Sequence, residues 1–258
     1  MVRVYSNSIV LLIAFILPAV SLHAADNAVP PQSQALTLLT QLDDLYQSKA
    51  STATMTMQID TKHYSRSLTI NTKSMGTEYS LMTIVSPIKE RGTTTLKAGN
   101  NIWNYLPKID RVIKVPSSMM ASGWMGSHFT NDDLLKENRY SEDFNCRFSA
   151  YTSSQWTVAC TPNEGTALVW GRVDIEFDPE NQLPLLISYF DQEMNPVRWM
   201  TFSHVTLLSG RLMPSQLSVT VAEKPGEQTL VNYKKIDLDA NLNTSHFTLT
   251  ALRRESQQ

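Results

Sequence analysis

The sequence predicts an α+β protein that is mainly β: a strongly curved antiparallel meander with an N-terminal helix and a mid-chain helical lid. Three observations predict it. Between residues 51 and 236 apolar residues recur mostly with period two, the repeat of a half-buried strand. Most gaps between these runs hold Gly, Pro, Asn or Asp, which supply hairpin turns. Two segments, 33–49 and 116–137, depart from the alternation. Many sequential strands with short turns pair with their neighbours and curl.

The N-terminus comes first. Arg3 precedes an apolar run from Ile9 to Val20, followed by the small residues Ser21, Ala24 and Ala25. That is the layout of a secretory signal, so residues 1–25 are expected as a cleaved signal peptide. The alternative is a retained membrane anchor. The run is short against the roughly 20 residues that a spanning helix needs, and Pro18 sits near its end. No cysteine near the cleavage region could accept a lipid. Residues 26–258 are expected to form a single soluble domain. Without the signal the chain holds 21 basic against 24 acidic residues, a balance that gives no reason to expect nucleic acid.

The helix follows. Leu36, Leu39, Leu42, Leu45 and Tyr46 recur at spacings of mostly three and four across residues 33–49, with Ser33 as N-cap. Strands are expected over 52–59, 67–72, 78–85, 93–97, 102–106 and 112–115, then over 144–151, 155–161, 170–177, 185–190, 198–207, 212–221 and 229–236. Between the two sets lies the segment expected to be a lid. It holds Met119, Met120, Trp124, Met125 and Phe129 with Gly123 and Gly126 among them. Thr130, Asn131, Asp132 and Asp133 then read as the cap of a short helix.

Cys146 and Cys160 are the two cysteines. Their midpoint, Ser153, is the centre of the turn joining strands 144–151 and 155–161, so a simple hairpin sets them opposite one another. In an oxidising compartment that pair is expected as a disulfide; the alternative is two buried free thiols.

Catalytic signatures are absent from the sequence: no G-x-S-x-G, no P-loop and no H-E-x-x-H. His63, His128, His204 and His246 are far apart, and His128 beside Asn131, Asp132 and Asp133 reads as a helix start with dipole-favoured acids, not as a metal site. No enzyme, cofactor or metal is expected. What stands out is apolar. Trp103, Tyr105 and the lid residues Met119, Met120, Trp124, Met125 and Phe129 fall close together. Methionine-rich surfaces adapt to varied apolar partners. Composition alone favours the plainer reading, core packing under a lid.

One long ordered string carries a resemblance. Trp103, Tyr105, Leu106, Pro107 and Lys108, then Arg111, Lys114, Pro116, Ser117, Ser118, Met119 and Met120, then Trp124, Met125, Gly126, Ser127, Phe129, Thr130, Asn131, Asp132, Asp133 and Leu134 follow one another in order. This resembles the bacterial outer-membrane lipoprotein-sorting protein family related to the carrier LolA, in its transporter-associated subgroup. The likeness is strongest over residues 70–140. It implies an incomplete antiparallel β-barrel, LolA/LolB-like, with helices plugging its open side. It further implies a periplasmic carrier of lipoprotein acyl chains or another lipid, moving cargo toward the outer membrane. Trp103, Tyr105, Met119, Met120, Trp124, Met125 and Phe129 are then expected to form the apolar cavity and lid, with Gly123 and Gly126 as hinges. An RND-type inner-membrane transporter and an outer-membrane acceptor are the implied partners. The alternative is a periplasmic sensor or adaptor that binds a lipidated signal or such a transporter.

Overall fold

Alternation along the chain is enough to build the sheet, because each run offers one apolar face and one polar face. The computed structural model describes residues 31–135, 139–166 and 168–257; the expected signal peptide lies outside them. Six strands come first: β1 (Ser51–Asp60), β2 (Ser65–Met75), β3 (Tyr79–Ser86), β4 (Thr94–Ala98), β5 (Asn101–Leu106) and β6 (Arg111–Lys114). Seven follow the lid: β7 (Phe144–Tyr151), β8 (Trp156–Pro162), β9 (Arg172–Phe177), β10 (Pro184–Phe190), β11 (Pro196–Leu208), β12 (Arg211–Val221) and β13 (Gln228–Asp237). Each expected strand is present, with ends shifted by a residue or a few.

All thirteen strands form one sheet in the order β6-β5-β4-β3-β2-β1-β13-β12-β11-β10-β9-β8-β7. Every pairing is antiparallel. The sheet is strongly curved and unclosed, with β6 and β7 at its two edges. The two meanders join through β1 and β13, whose pairing runs from Thr52↔Asp237 to Asp60↔Gln228.

Among the described residues four short α-helices pack on the sheet: α1 (Gln32–Asp43), α2 (Asn131–Leu135), α3 (Tyr140–Asp143) and α4 (Leu249–Glu255). The α1 helix is shorter than expected, and its start differs. Pro31, not Ser33, occupies the N-cap, and Ala35, Leu38 and Leu39 form the buried side, while Leu36 is 53% exposed. The chain leaves the helix through a turn at Asp44. Leu45 and Tyr46 therefore reach the core from outside the helix, where they join Met213 and Ile236. Asp43 then caps α3, accepting from the backbone N–H groups of Tyr140 (2.9 Å) and Ser141 (3.0 Å).

The main core fills the concave face. Met55, Met57 and Ile59 of β1, Leu68 and Ile70 of β2, and Met82 and Ile84 of β3 meet Val158, Ile175, Ile187 and Val219 from the other half. A second cluster lies on the opposite face of β3–β5, where Leu81, Leu96 and Tyr105 pack under Phe247 and Leu252 of the C-terminal segment. Thr248 caps α4 by accepting from the Ala251 N–H, and Glu255 binds Lys73 at 2.6 Å.

Cys146 and Cys160 are directly opposed in the β7–β8 pairing and are joined by a disulfide that closes a separation of 14 residues. Both sulfurs sit in the main core. Closing a loop of about 15 residues removes roughly 3 kcal/mol of unfolded-chain entropy. Replacing both cysteines with alanine is therefore expected to lower unfolding stability by about 3 kcal/mol. Urea titration checks it, and wild-type protein in reductant should show a similar loss.

Candidate functional site

Pleating decides which residues of β1–β3 look into the bowl. Cross-strand partners share a face, so the register yields rows of inward side chains. Ser51, Ser74 and Ser80 form one row across three strands, and Ala53, Thr72 and Met82 form the next. Met55 with Ile70 and Met57 with Leu68 complete the slope. The inner face is thus graded from hydroxyl to hydrocarbon. Ser51 and Ser74 hydroxyls are hydrogen-bonded at 2.7 Å.

A cavity of about 270 Å³ lies above these rows. Its floor holds Ala53, Met55, Met57 and Met82 on one side and Leu217, Val231, Tyr233 and Ile236 on the other. Its roof is Trp124, Phe129, Asp133 and Leu134. Gln47, Ser51, Thr72, Ser74 and Ser80 supply the polar end. A larger depression of about 630 Å³ lies outside, between α1 and the start of β12. Its lining is more polar, with Thr37, Thr40, Gln41, Asp44, Gln182 and Arg211 among it, so the more apolar cavity under Trp124 and Phe129 is the candidate site.

The roof is a tight fold of chain. Gly123 and Thr130 form an isolated antiparallel bridge, and the Trp124 N–H donates to the Phe129 carbonyl at 2.6 Å. This sends both aromatics down into the bowl. Trp124 is 4% exposed, and its indole N–H donates to Thr95 Oγ1 of β4 at 3.0 Å. Met125 (φ 50°) and Gly126 (φ 71°) take left-handed conformations at the bend, which Gly adopts freely and Met rarely. The Arg66 guanidinium of β2 donates to the Met125 carbonyl, and its Nη1 lies 3.1 Å from Glu90 Oε2. Gly123 has an ordinary backbone, but a Cβ there would come within 2.4 Å of the Ser127 carbonyl oxygen. Gly123 thus permits close packing.

Two buried polar contacts hold the roof to the second half of the sheet. Thr130 and Asp133 cap α2 reciprocally: the Thr130 N–H donates to Asp133 Oδ2 (2.7 Å) and the Asp133 N–H to Thr130 Oγ1 (3.0 Å). The other Asp133 oxygen accepts from Arg198 Nη1 of β11 at 2.8 Å. Arg198 is 4% exposed, with its guanidinium carbon 6.0 Å from the Phe129 ring centre and 5.4 Å from that of Tyr189. Burial alone would lower its pKa; the Asp133 carboxylate, with Tyr189 and Tyr140 beside it, turns the net shift upward. The second contact is His128, whose Nδ1 and backbone N–H lie 2.9 and 3.0 Å from Thr229 Oγ1 of β13. Burial pushes its pKa below the ordinary 6.5; Lys224 adds to this and Glu227, 3.6 Å from Nε2, opposes it.

The structure brings only some of the expected site residues together. Trp124 and Phe129 line the cavity, and Met125 packs against the main core beside them. Met119 is 50% exposed and Met120 half-buried. Their carbonyls anchor the lid, accepting from the Asn131 side chain and the Asp132 N–H, both at 2.9 Å, but neither lines the cavity. Trp103 and Tyr105 require a correction. Asn104 pairs with Thr95 on the inner face, so Trp103 and Tyr105 point outward and pack in the cluster under α4. The methionines of the floor, the serine row and Arg198 are what sequence reasoning missed. Arg198 shares its strand face with the apolar Met200 and Phe202; a lone charge in that register was the available signal. Among the described residues no group of three or more His, Cys, Asp and Glu could hold a metal ion.

A family model described as an "Uncharacterized protein"-like family matches residues 76–254. The chain belongs to that family. No curated protein matches its sequence. Three solved structures share the fold of this family member. A DUF1329 family protein from Desulfovibrio piger has TM-score 0.74 at 20% identity, covering 86% of this chain and 99% of that one. A protein domain from Vibrio parahaemolyticus, described as outer membrane lipoprotein-sorting, has TM-score 0.70 at 19% identity, covering 87% and 100%. A LolA superfamily protein from Nitrosomonas europaea has TM-score 0.68 at 16% identity, covering 86% and 100%. At these identities the likeness is one of fold: LolA-like, as the sequence resemblance implied.

Two outcomes follow from the roof contacts. Asp133→Asn leaves the Arg198 charge buried without its carboxylate, which costs about 3 kcal/mol while the roof stays shut. The roof should open instead, seen as faster hydrogen exchange across residues 116–135 and a lower thermal midpoint. For His128, the unfolded chain restores the ordinary pKa of 6.5 while the folded protein holds it lower. The unfolded chain therefore takes up the proton first as pH falls. Stability should be full above 6.5 and decline as pH drops from there toward the folded value. Thermal midpoints measured across that range check this, and His128→Asn should flatten the slope.

Proposed function

We propose that the protein is a non-catalytic periplasmic carrier that shelters the acyl chain of a lipoprotein or another lipid and carries it toward the outer membrane. The observation that supports this reading is the covered cavity graded from a serine row to a methionine floor. An amphiphile fits that grading in one orientation, with its ester or headgroup end at Ser51, Ser74 and Ser80 and its chain over Met55 and Met57. Each CH₂ kept from water is worth about 0.8 kcal/mol, so an acyl chain crossing an aqueous space needs such a lining. Methionine suits it because an unbranched, polarizable side chain repacks around chains of different length. At about 270 Å³ the cavity lies just below the range for ligand pockets, roughly 300–1,000 Å³, as a closed roof would leave it.

The fold shared with the lipoprotein-sorting domain and the LolA superfamily protein supports the same reading. Residues 26–258 form the single carrier domain in this proposal, released from its signal in the periplasm. Trp124 and Phe129 are its ligand-contacting roof, and Gly126 with Met125 marks where the roof bends. An RND-type inner-membrane transporter and an outer-membrane acceptor would be donor and receiver.

The test is direct. Protein extracted gently from its host is expected to show bound lipid in native mass spectrometry and to take up an apolar fluorescent probe after delipidation. Val231→Trp, which fills the cavity from the floor, should weaken probe binding at least about fivefold, given that overpacking costs roughly 1–3 kcal/mol. A chain that arrives empty and binds no apolar probe would sink the carrier reading.

A further inference from the structure

The strand directions place the β1–β2, β3–β4 and β5–β6 turns at one end of the sheet. Two of these turns touch each other and the end of α4. A Cβ built on Gly92 would stand 3.4 Å from Pro107 Cγ and 2.5 Å from the Ser256 carbonyl oxygen. From this junction two isoleucines project: Ile88 is 83% exposed and Ile109 is 57% exposed. Leaving either in water loses the burial energy that most large apolar residues gain.

Cations outnumber acids around them. Lys89 and Arg91 flank Ile88, Lys108 and Arg111 flank Ile109, and Arg253 and Arg254 end α4; all six are exposed. The nearby acids have partners of their own. Glu90 binds Arg66 at 3.1 Å, Glu255 binds Lys73 at 2.6 Å, and Asp110 accepts the Tyr105 phenol at 3.0 Å. Arg254 also lies 3.9 Å from Glu255 Oε1; the cations still outnumber the acids here, on a chain whose formal net charge is −2.

We propose that this end docks on an anionic lipid surface, its cations against phosphate headgroups and Ile88 and Ile109 entering the headgroup–acyl boundary. The arrangement favours a bilayer over a protein partner. The two isoleucines sit on separate convex turns with cations beside each, whereas a protein hot spot gathers anchors at the centre of a packed patch. Shallow apolar insertion beside Lys and Arg is the usual chemistry of peripheral membrane attachment. The inference stands apart from the carrier reading, because it concerns an outer surface and needs no ligand in the cavity.

Vesicle co-sedimentation tests it. The wild-type protein is expected to sediment with phosphatidylglycerol-containing vesicles at low salt, to do so less as salt rises, and to ignore pure phosphatidylcholine. Each Lys or Arg near such a surface is worth about fivefold in partitioning. Lys89→Glu combined with Lys108→Glu should therefore reduce binding at least about twentyfold. Ile88→Ser should reduce it several-fold while keeping the salt dependence. An unchanged thermal midpoint in both variants would confirm that folding is intact, as expected for exposed turns. Wild-type protein that stays in solution with anionic vesicles, sediments equally with phosphatidylcholine, or is matched by both variants would overturn the proposal.

Discussion

An unclosed sheet with an apolar concave face must be covered, and the chain that joins its two edges is what covers it. β6 and β7 end the sheet on opposite sides, and residues 115–143 run between them. Had the edges paired, the bowl would be a barrel and the link a loop outside it. Left apart, they force the link across the opening. Trp124 and Phe129 then face Met55, Met57 and Met82, and the packed interior has a space where floor and roof do not fully meet.

The roof is attached in a way that suits movement. The floor beneath it includes Met55, Met57 and Met82, and methionines repack at little cost. The roof's specific contacts are polar, among them Trp124 with Thr95, Asp133 with Arg198, His128 with Thr229, the Met125 carbonyl with Arg66 and the Gly126 carbonyl with the Tyr64 hydroxyl. Buried ion pairs of this kind add little net stability, because desolvation offsets much of the attraction, yet they fix one arrangement over others. Arg198 Nε and His128 Nε2 are buried without a hydrogen-bond partner among the described residues. The closed roof is therefore well defined without being strongly held.

Local signals in the sequence carried most of the fold. Period-two alternation located every strand, because a strand half-exposed to water must alternate. The Cys146–Cys160 pairing followed from the symmetry of one hairpin. Pairing of β1 with β13 was not legible, since alternation says which residues face inward but not which distant strand completes the ladder. The same gap explains Trp103 and Tyr105. Their alternation was visible, but which face of β5 is concave depends on the register with β4. The roof aromatics were legible because two large rings among glycines cannot lie on a solvated loop. The methionine floor was hidden in plain strand alternation, where Met55 and Met57 look like any core residue. Leu36 misled because the helix stripe was extended through Tyr46, whereas α1 ends at Asp43 and its buried side runs through Ala35, Leu38 and Leu39.

The junction between β1 and β13 governs how the molecule can be made. Residues 51–60 find their second partner only in residues 228–237, so the middle of the sheet is the last part of it to leave the ribosome. Until then β1 offers a bare edge and the two meanders are separate half-bowls, each with its hydrocarbon face open to water. Contacts so distant in sequence close slowly, and partly assembled strands of this kind aggregate readily. A chain cut short before residue 228 would lack the strand that unites its halves. Joining of the two halves thus waits on synthesis of residues 228–237, and holding the nascent chain unfolded until then protects it.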